Sequence, residues 1–324
     1  MRVIALEEHM FPRDLLEAAH LEFSPRASVK LPALDDVDEG RLRVMDGAGI
    51  DVQVLSALGW IVQDLEPARS VPLSRELNER LASAVARHPD RFRAFASLPM
   101  TDPAAAADEL RRTVEEHGFV GAMIHGQTKG VFLDHPSVRP VLAAAERLDV
   151  PIYLHPAPPP AVIVDTYYSG LEPDVGECLS TSGWGWHSET ALHVLRMVVN
   201  GVFEELPGLK VIVGHMGEGL PFHLDRIENM LSPVVKGHAL TVAETLRRNL
   251  YLTTAGYNFD APLRCAIDVF GAERVLFSVD HPFGDSARAT AHLRTSPVSE
   301  EDRERIAHGN AQVLLGIGAR VAAR

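Results

Sequence analysis

Val3-Ile4-Ala5-Leu6-Glu7-Glu8-His9 reads as a buried β-strand that stops abruptly in two acids and an imidazole. Side chains alternate along a strand, so Glu7 and His9 share one face and Glu8 takes the other. A carboxylate oxygen and an imidazole nitrogen pointing the same way make half the ligand set of a divalent cation. The plainer reading is a strand end meeting solvent. The rest of the chain decides between the two by whether other strands finish in the same manner.

Apolar runs recur at 51–56, 92–98, 119–124, 151–155, 210–215, 250–254 and 274–280, with helical stretches between them. Leu73, Leu77, Leu81 and Val85 mark one face of a helix over 73–88; Asp102 caps another over 102–117, with Pro103 in its first turn. Further helices are expected over 137–148, 188–205, from Leu220 onward, over 261–270 and over 299–315. The segment 11–37, with Pro12, Pro25 and Pro32, reads as a loop holding a short helix at 14–20, and 156–187 is the longest irregular stretch. Continuous apolar runs between helices indicate parallel strands covered on both sides, and eight is the count at which such a sheet closes. The expectation is a single-domain (β/α)8 TIM barrel over 1–324, with a long loop insertion after the fifth strand. An open doubly wound sheet is the competing arrangement; no glycine-rich phosphate loop follows a strand to support it.

A net charge of -13 disfavours nucleic acid and anionic membranes as partners, while leaving room for a local basic pocket that binds a small anion. Cys178 and Cys265 are too few for a disulfide framework or a thiolate zinc site, which fits a reducing, cytoplasmic compartment. The first apolar run breaks at Glu7, and no uncharged run approaches the ~18 residues of a spanning helix.

In such a barrel the active site lies where the strands finish. The first strand ends in Glu7 and His9, the fifth in His155, the sixth in His215 and the eighth in Asp280. Glu7, His9, His155 and Asp280 would form a mixed oxygen and nitrogen shell for one divalent ion, Zn2+ or Mn2+, with a position left for water or substrate. In Gly214-His215-Met216-Gly217-Glu218 the glutamate can return to hold the histidine ring; the alternative is a glycine-bounded turn opening a helix, with Glu218 at its favoured end.

Taken together, Glu-x-His at 7–9, Tyr-Leu-His-Pro at 153–156, Gly-His-Met-Gly-Glu at 214–218 and Leu-Phe-Ser-Val-Asp-His-Pro-Phe at 276–283 resemble the decarboxylase branch of the amidohydrolase superfamily. Aminocarboxymuconate-semialdehyde, γ-resorcylate and 5-carboxyvanillate decarboxylases belong to that branch. Glutamate in the opening motif is closer to the last two, which favours an aromatic acid. The resemblance implies that Glu7, His9, His155 and Asp280 ligate the metal, that His215 and Glu218 form a dyad with Asp280, and that Arg226 holds a substrate anion; His281 and Phe283, just after Asp280, are also expected to meet the substrate. Arg226 could equally be a surface arginine paired with Asp225 or Glu228. The chain departs from these relatives at His281, at His125, in the shorter 126–134 segment, at Val141-Leu142, and in 156–187, where Tyr167, Tyr168, Trp184 and Trp186 belong to a lid or to a packed insertion.

The expected chemistry is non-oxidative decarboxylation of a hydroxylated aromatic acid, with Asp280 protonating the ring carbon and no organic cofactor. The same ligands would serve a hydrolase or hydratase that uses metal-activated water, and a non-catalytic metal-bound sensor is a third possibility. The resemblance also implies a homodimer or homotetramer.

Overall fold

The protein is described here by a computed structural model of residues 1–318. Its strands are β1 (Ile4–Met10), β2 (Val52–Ala57), β3 in two pieces (Phe92–Ala94 and Ala96–Ser97), β4 (Ala122–His125), β5 (Ile152–His155), β6 (Val211–Val213), β7 (Leu250–Thr253) and β8 (Val275–Leu276). Every neighbouring pair within the two sheet runs is parallel. At the break in β3, Phe95 N–H donates to Leu55 O (2.9 Å) on one side and Ala96 N–H to Gly121 O (2.9 Å) on the other, so the two runs are continuous. Leu6 N–H donates to Phe277 O (3.2 Å) and Leu6 bridges Ser278 in parallel, which joins the last strand to the first. The ring of eight strands anticipated from the apolar runs is thereby closed.

Alternation along the strands divides the core in two. Ile4, Leu6, Val52, Val54, Met123, Tyr153 and Ile212 pack inside the barrel, while Val3, Ala5, Leu55, Ile124 and Leu154 pack outward under the helices. Ala311, Leu314 and Ile317, in the closing segment, join the inner cluster and plug the end where the strands begin. The opposite end is left for chemistry.

Strict alternation from Ile4 and Leu6 would send Glu8 inward and Glu7 and His9 outward. Instead the register of β1 against β2 shifts between Ala5 and Glu8, and Glu7 takes φ 59°. This bulge slips the phase by one residue, so Glu7 and His9 turn into the barrel mouth. Glu8 turns outward, accepting from Gln53 Nε2 (2.9 Å) and from Val279 N–H (3.0 Å). That contact ties the end of β1 to the segment carrying Asp280. Buried Arg41 donates to the carbonyls of His9 (2.5 Å), Ala33 (3.2 Å) and Asp36 (3.0 Å), pinning the chain that follows β1 against the same rim.

Several boundaries differ from expectation. The segment 11–37 holds three short helices, Arg13–Ala18, Pro25–Ser28 and Leu31–Asp35, because Pro12 precedes the first and Pro25 and Pro32 sit in the first turns of the others, where a proline starts a helix. The helix expected over 73–88 begins at Pro67 and tolerates Pro72 inside it. The insertion after β5 carries helices Ala161–Tyr167 and Pro173–Ser180, so it is folded and not irregular. The helix expected over 188–205 is two, Gly185–Val199 and Val202–Glu205, separated at Gly201 with φ 73°. Among the described residues no helix is long and apolar enough to cross a membrane.

Candidate metal centre

Glu7, His9, His155 and Asp280 each offer one ligand atom, and the four atoms lie within 4.8 Å of one another. Residues separated by up to 273 positions are thus gathered at one mouth, as their strand-end positions imply.

The polar partners of each side chain fix what it presents there. His155 Nδ1 is 2.6 Å from Pro156 O, and a carbonyl only accepts, so Nδ1 carries the proton and Nε2 presents a lone pair. That lone pair faces Glu7 Oε1 at 3.2 Å. His9 Nδ1 bonds Ser56 Oγ (3.1 Å), leaving Nε2 3.4 Å from Asp280 Oδ1. Glu7 Oε2 accepts from Tyr153 Oη, which also meets Thr253 Oγ1 at 3.0 Å. Glu7 Oε1 and His9 Nε2 are buried yet have no hydrogen-bond partner among the described residues.

Imidazole nitrogens and carboxylate oxygens that converge at 3.2–3.4 Å are held together by an added positive charge, either a proton on the ring or a cation in the middle. Two ligand atoms each about 2.1 Å from one metal are separated by about 3.0 to 3.4 Å, which is this spacing. The donor set therefore fits a divalent ion. With two oxygens, two nitrogens and no sulfur, it suits a hard or borderline metal.

Behind these four side chains stands His215, whose Nδ1 is 2.8 Å from Glu218 Oε1 and whose Nε2 is 3.7 Å from Glu7 Oε1 and 4.0 Å from Asp280 Oδ2. The expected return of Glu218 onto the ring is present. Glu7, His215, Met216, Glu218 and Asp280 all have positive φ, five of the eight non-glycine residues that do so among the described residues. Such conformations cost about 1 kcal/mol or more each and persist where surrounding contacts dictate them. The strain is concentrated in the segments that aim these side chains.

Protonation follows from the same neighbours in the metal-free protein. Burial alone would raise Glu7, but His215, His155 and His9 hold it down to about 2. Burial alone would lower His215, yet Glu218, Glu7 and Asp280 raise it to about 10. Burial pushes Glu8 up to about 8. A histidine raised from 6.5 contributes stability that is complete below that pH and is lost as pH climbs through about 10. Glu8, raised from 4.5, tilts stability the same way between 4.5 and 8. Glu7, lowered from 4.5, acts oppositely: its contribution is present above 4.5 and lost as pH falls towards about 2. Chelator-treated protein is therefore expected to lose stability from pH 6.5 upward, seen as a falling denaturation midpoint in urea. A midpoint that rises between pH 6.5 and 9 would contradict these charge assignments.

A cavity of about 540 Å3 opens above His9, His155 and Asp280, walled by Leu58, Trp60, Trp186 and Phe283, with Arg26 and Lys30 also lining it. The Phe283 ring lies 6.1 Å from that of His9. His281 does not line this cavity: it is buried, its carbonyl accepts from His9 N–H (2.7 Å), and burial together with Arg41 and His9 lowers its pKa to about 3. Arg226 is exposed and also does not line it. Its helix, Leu220–Leu231, buries Leu220, Pro221 and Leu224, and two residues beyond Leu224 is the far side of a helix. Among the described residues the arginine and lysine side chains at the cavity are Arg26 and Lys30, which lie in the segment read as a loop. His187 also went unread; its Nδ1 is 2.5 Å from Glu218 Oε2. Its only sequence signal is its place after the Trp184-Gly185-Trp186 run.

A family model described as amidohydrolase matches residues 18–317. The chain belongs to the amidohydrolase family. This amidohydrolase is 36% identical to a gamma-resorcylate decarboxylase of Rhodococcus jostii over 96% of its own length and 98% of the relative's. The crystal structure of a Polaromonas dihydroxybenzoic acid decarboxylase with bound manganese and the inhibitor 2-nitroresorcinol has a TM-score of 0.88 and 36% identity, covering 97% of both chains. That of 5-carboxyvanillate decarboxylase from Sphingomonas paucimobilis has a TM-score of 0.90 and 30% identity, covering 97% of this amidohydrolase and 99% of the other chain. The decarboxylase branch of the superfamily, anticipated from the strand-end motifs, is the one to which these similarities lead.

Proposed function

We propose that the chain is a metal-dependent, non-oxidative decarboxylase of a hydroxylated aromatic carboxylic acid, a carbon–carbon lyase. The observation that carries this reading is the convergence of Glu7, His9, His155 and Asp280, the last three of them lining a cavity walled by aromatic rings. The Rhodococcus, Polaromonas and Sphingomonas proteins support it by the reactions for which they are named. A divalent ion, manganese or zinc, held by those four residues would act as a Lewis acid towards phenolate and carboxylate oxygens.

The chain's own groups supply the rest. Trp60, Trp186 and Phe283 offer the ring flat apolar walls and exclude water. Asp280 delivers a proton to the ring carbon bearing the carboxylate, which interrupts aromaticity. The carbon–carbon bond then breaks, its electron pair returns to the ring, and carbon dioxide departs. His215, with its charge held by Glu218, returns a proton to Asp280. Arg26 and Lys30 place positive charge at the cavity, suited to an anionic group on the incoming acid. Arg226 meets the substrate in this reading only where another copy of the chain brings it to the cavity.

The proposal extends to one domain over 1–324, a cytoplasmic enzyme without organic cofactor, nucleic-acid or membrane partner, consistent with -13 net charge and two free cysteines. A homodimer or homotetramer would cover Val162, Tyr167, Val175 and Trp184, large apolar side chains of the insertion that are exposed in the single chain.

The test is incubation of manganese-loaded protein with hydroxybenzoates in 18O-labelled water. Carbon dioxide and phenol in equal amounts, with no label in the phenol, are expected. Solvent oxygen in the organic product would instead establish the hydrolase or hydratase reading.

A further inference from the structure

In the decarboxylation proposed above, the reacting carboxylate leaves as neutral carbon dioxide. A further fixed cation gripping that carboxylate would stabilise the bound acid more than the transition state, and so slow the step. Cations at the cavity serve turnover only through a group that keeps its charge throughout. Arg26 and Lys30 stand ready for such a group.

Helix Pro25–Ser28 is capped by Ser24, and its right-handed helical backbone continues through Val29 and Lys30. Arg26 and Lys30, four residues apart on one helical run, therefore share a side. Both line the cavity, as does Ala27. The run is anchored by the buried Phe23 ring, which packs edge-on against Phe11 and Trp60, 5.3 and 6.1 Å between ring centres. In a chain of net charge -13, two cations are thus carried on a docked turn beside the cavity. Neither forms an ion pair among the described residues. Apart from Asp280, the acid among the lining residues is Glu177, on helix Pro173–Ser180 of the insertion, and it offsets one of the two charges at most.

We propose that Arg26 and Lys30 bind a second anionic group of the substrate, borne on the ring away from the reacting carboxylate, so that the preferred substrate is a hydroxylated aromatic diacid; this rests on the decarboxylase reading above. The cavity has the room: about 540 Å3 falls in the range that encloses drug-sized ligands, more than one ring with a single carboxylate fills. The second group is equally charged in acid, transition state and product, so contacts to it hold all three alike. Such contacts lower KM and leave kcat as it is.

Manganese-loaded enzyme is assayed on hydroxyterephthalate and hydroxyisophthalate, each against the analogue whose second carboxylate is a carboxamide. Wild type is expected to favour the diacid by about 10- to 100-fold in kcat/KM, the range of a hydrogen bond to a charged group. In the double variant Arg26→Met, Lys30→Met that preference should shrink to about threefold or less, through KM and not kcat, whereas Lys30→Arg keeps it. Arg26 is exposed and Lys30 half-buried, so the variants are expected to hold the wild-type thermal midpoint. Equal kcat/KM on diacid and amide in wild type, or a double variant that keeps the preference, overturns the second subsite and leaves decarboxylation standing. A loss that falls equally on diacid and amide and vanishes in high salt shows that the two cations only steer anions, and also overturns it. Release of carbon dioxide from none of these acids overturns the decarboxylase reading itself, and the subsite with it.

Discussion

Asparagine in place of Asp280 is expected to lower kcat on the order of 10^4-fold, the upper range for loss of a positioned proton donor. The substitution is nearly isosteric and its backbone cost is small: Asp280 sits at φ 70°, a conformation asparagine adopts more readily than most residues. The cavity and the buried shell around Glu7 should therefore survive. What disappears is a carboxyl able to carry a proton to the ring carbon, one anionic ligand, and one of the negative neighbours that keep His215 charged. To separate these losses, kcat is measured alongside metal content and thermal midpoint. A variant with full metal and wild-type midpoint but kcat down by that factor assigns the proton step to Asp280. If Asp280→Asn retains more than about a tenth of wild-type kcat with full metal, the proton comes from elsewhere.

Much of this site could be read from the chain because a parallel barrel puts its information at strand ends. A strand buried on both faces is an apolar run, so the residue that breaks the run at its carboxyl end marks the mouth. Glu7, His9, His155, His215 and Asp280 were legible for that reason. Glu7 and His9 were read as sharing a face, and they do, but alternation from Ile4 and Leu6 aims that face outward. The bulge at Glu7 that turns it inward depends on register against β2, which a single strand does not encode in its pattern. Arg226 was placed by the family resemblance; the side of the helix that the core takes turns it outward in the single chain. His187, Arg26 and Lys30 come from segments whose position is set by docking onto the rim. No local periodicity announces such docking.

Stripping divalent metal with a chelator is expected to abolish turnover and to lower the thermal midpoint, and manganese is expected to restore both. Binding that is saturated a thousandfold above the dissociation constant adds about 4 kcal/mol to the folded state. Spread over the unfolding entropy of a chain this long, that is on the order of 6 °C. The magnitude is large because the protein prepares the site before any ion arrives. Glu7 is held ionised down to about pH 2, so no proton is displaced from it at neutral pH. The Pro156 carbonyl fixes the proton of His155 on Nδ1, so its Nε2 presents a lone pair on arrival, and Ser56 Oγ orients the His9 ring. Glu7→Gln isolates the charge: its carbonyl oxygen can still accept from Tyr153 Oη, its volume is unchanged, and only the anion is lost. That variant should fold, keep the midpoint of the stripped wild type to within a few degrees, and show less than about a third of the manganese-induced shift. Undiminished turnover by metal-stripped protein, or a full manganese shift in Glu7→Gln, would mean that the four converging groups have another purpose.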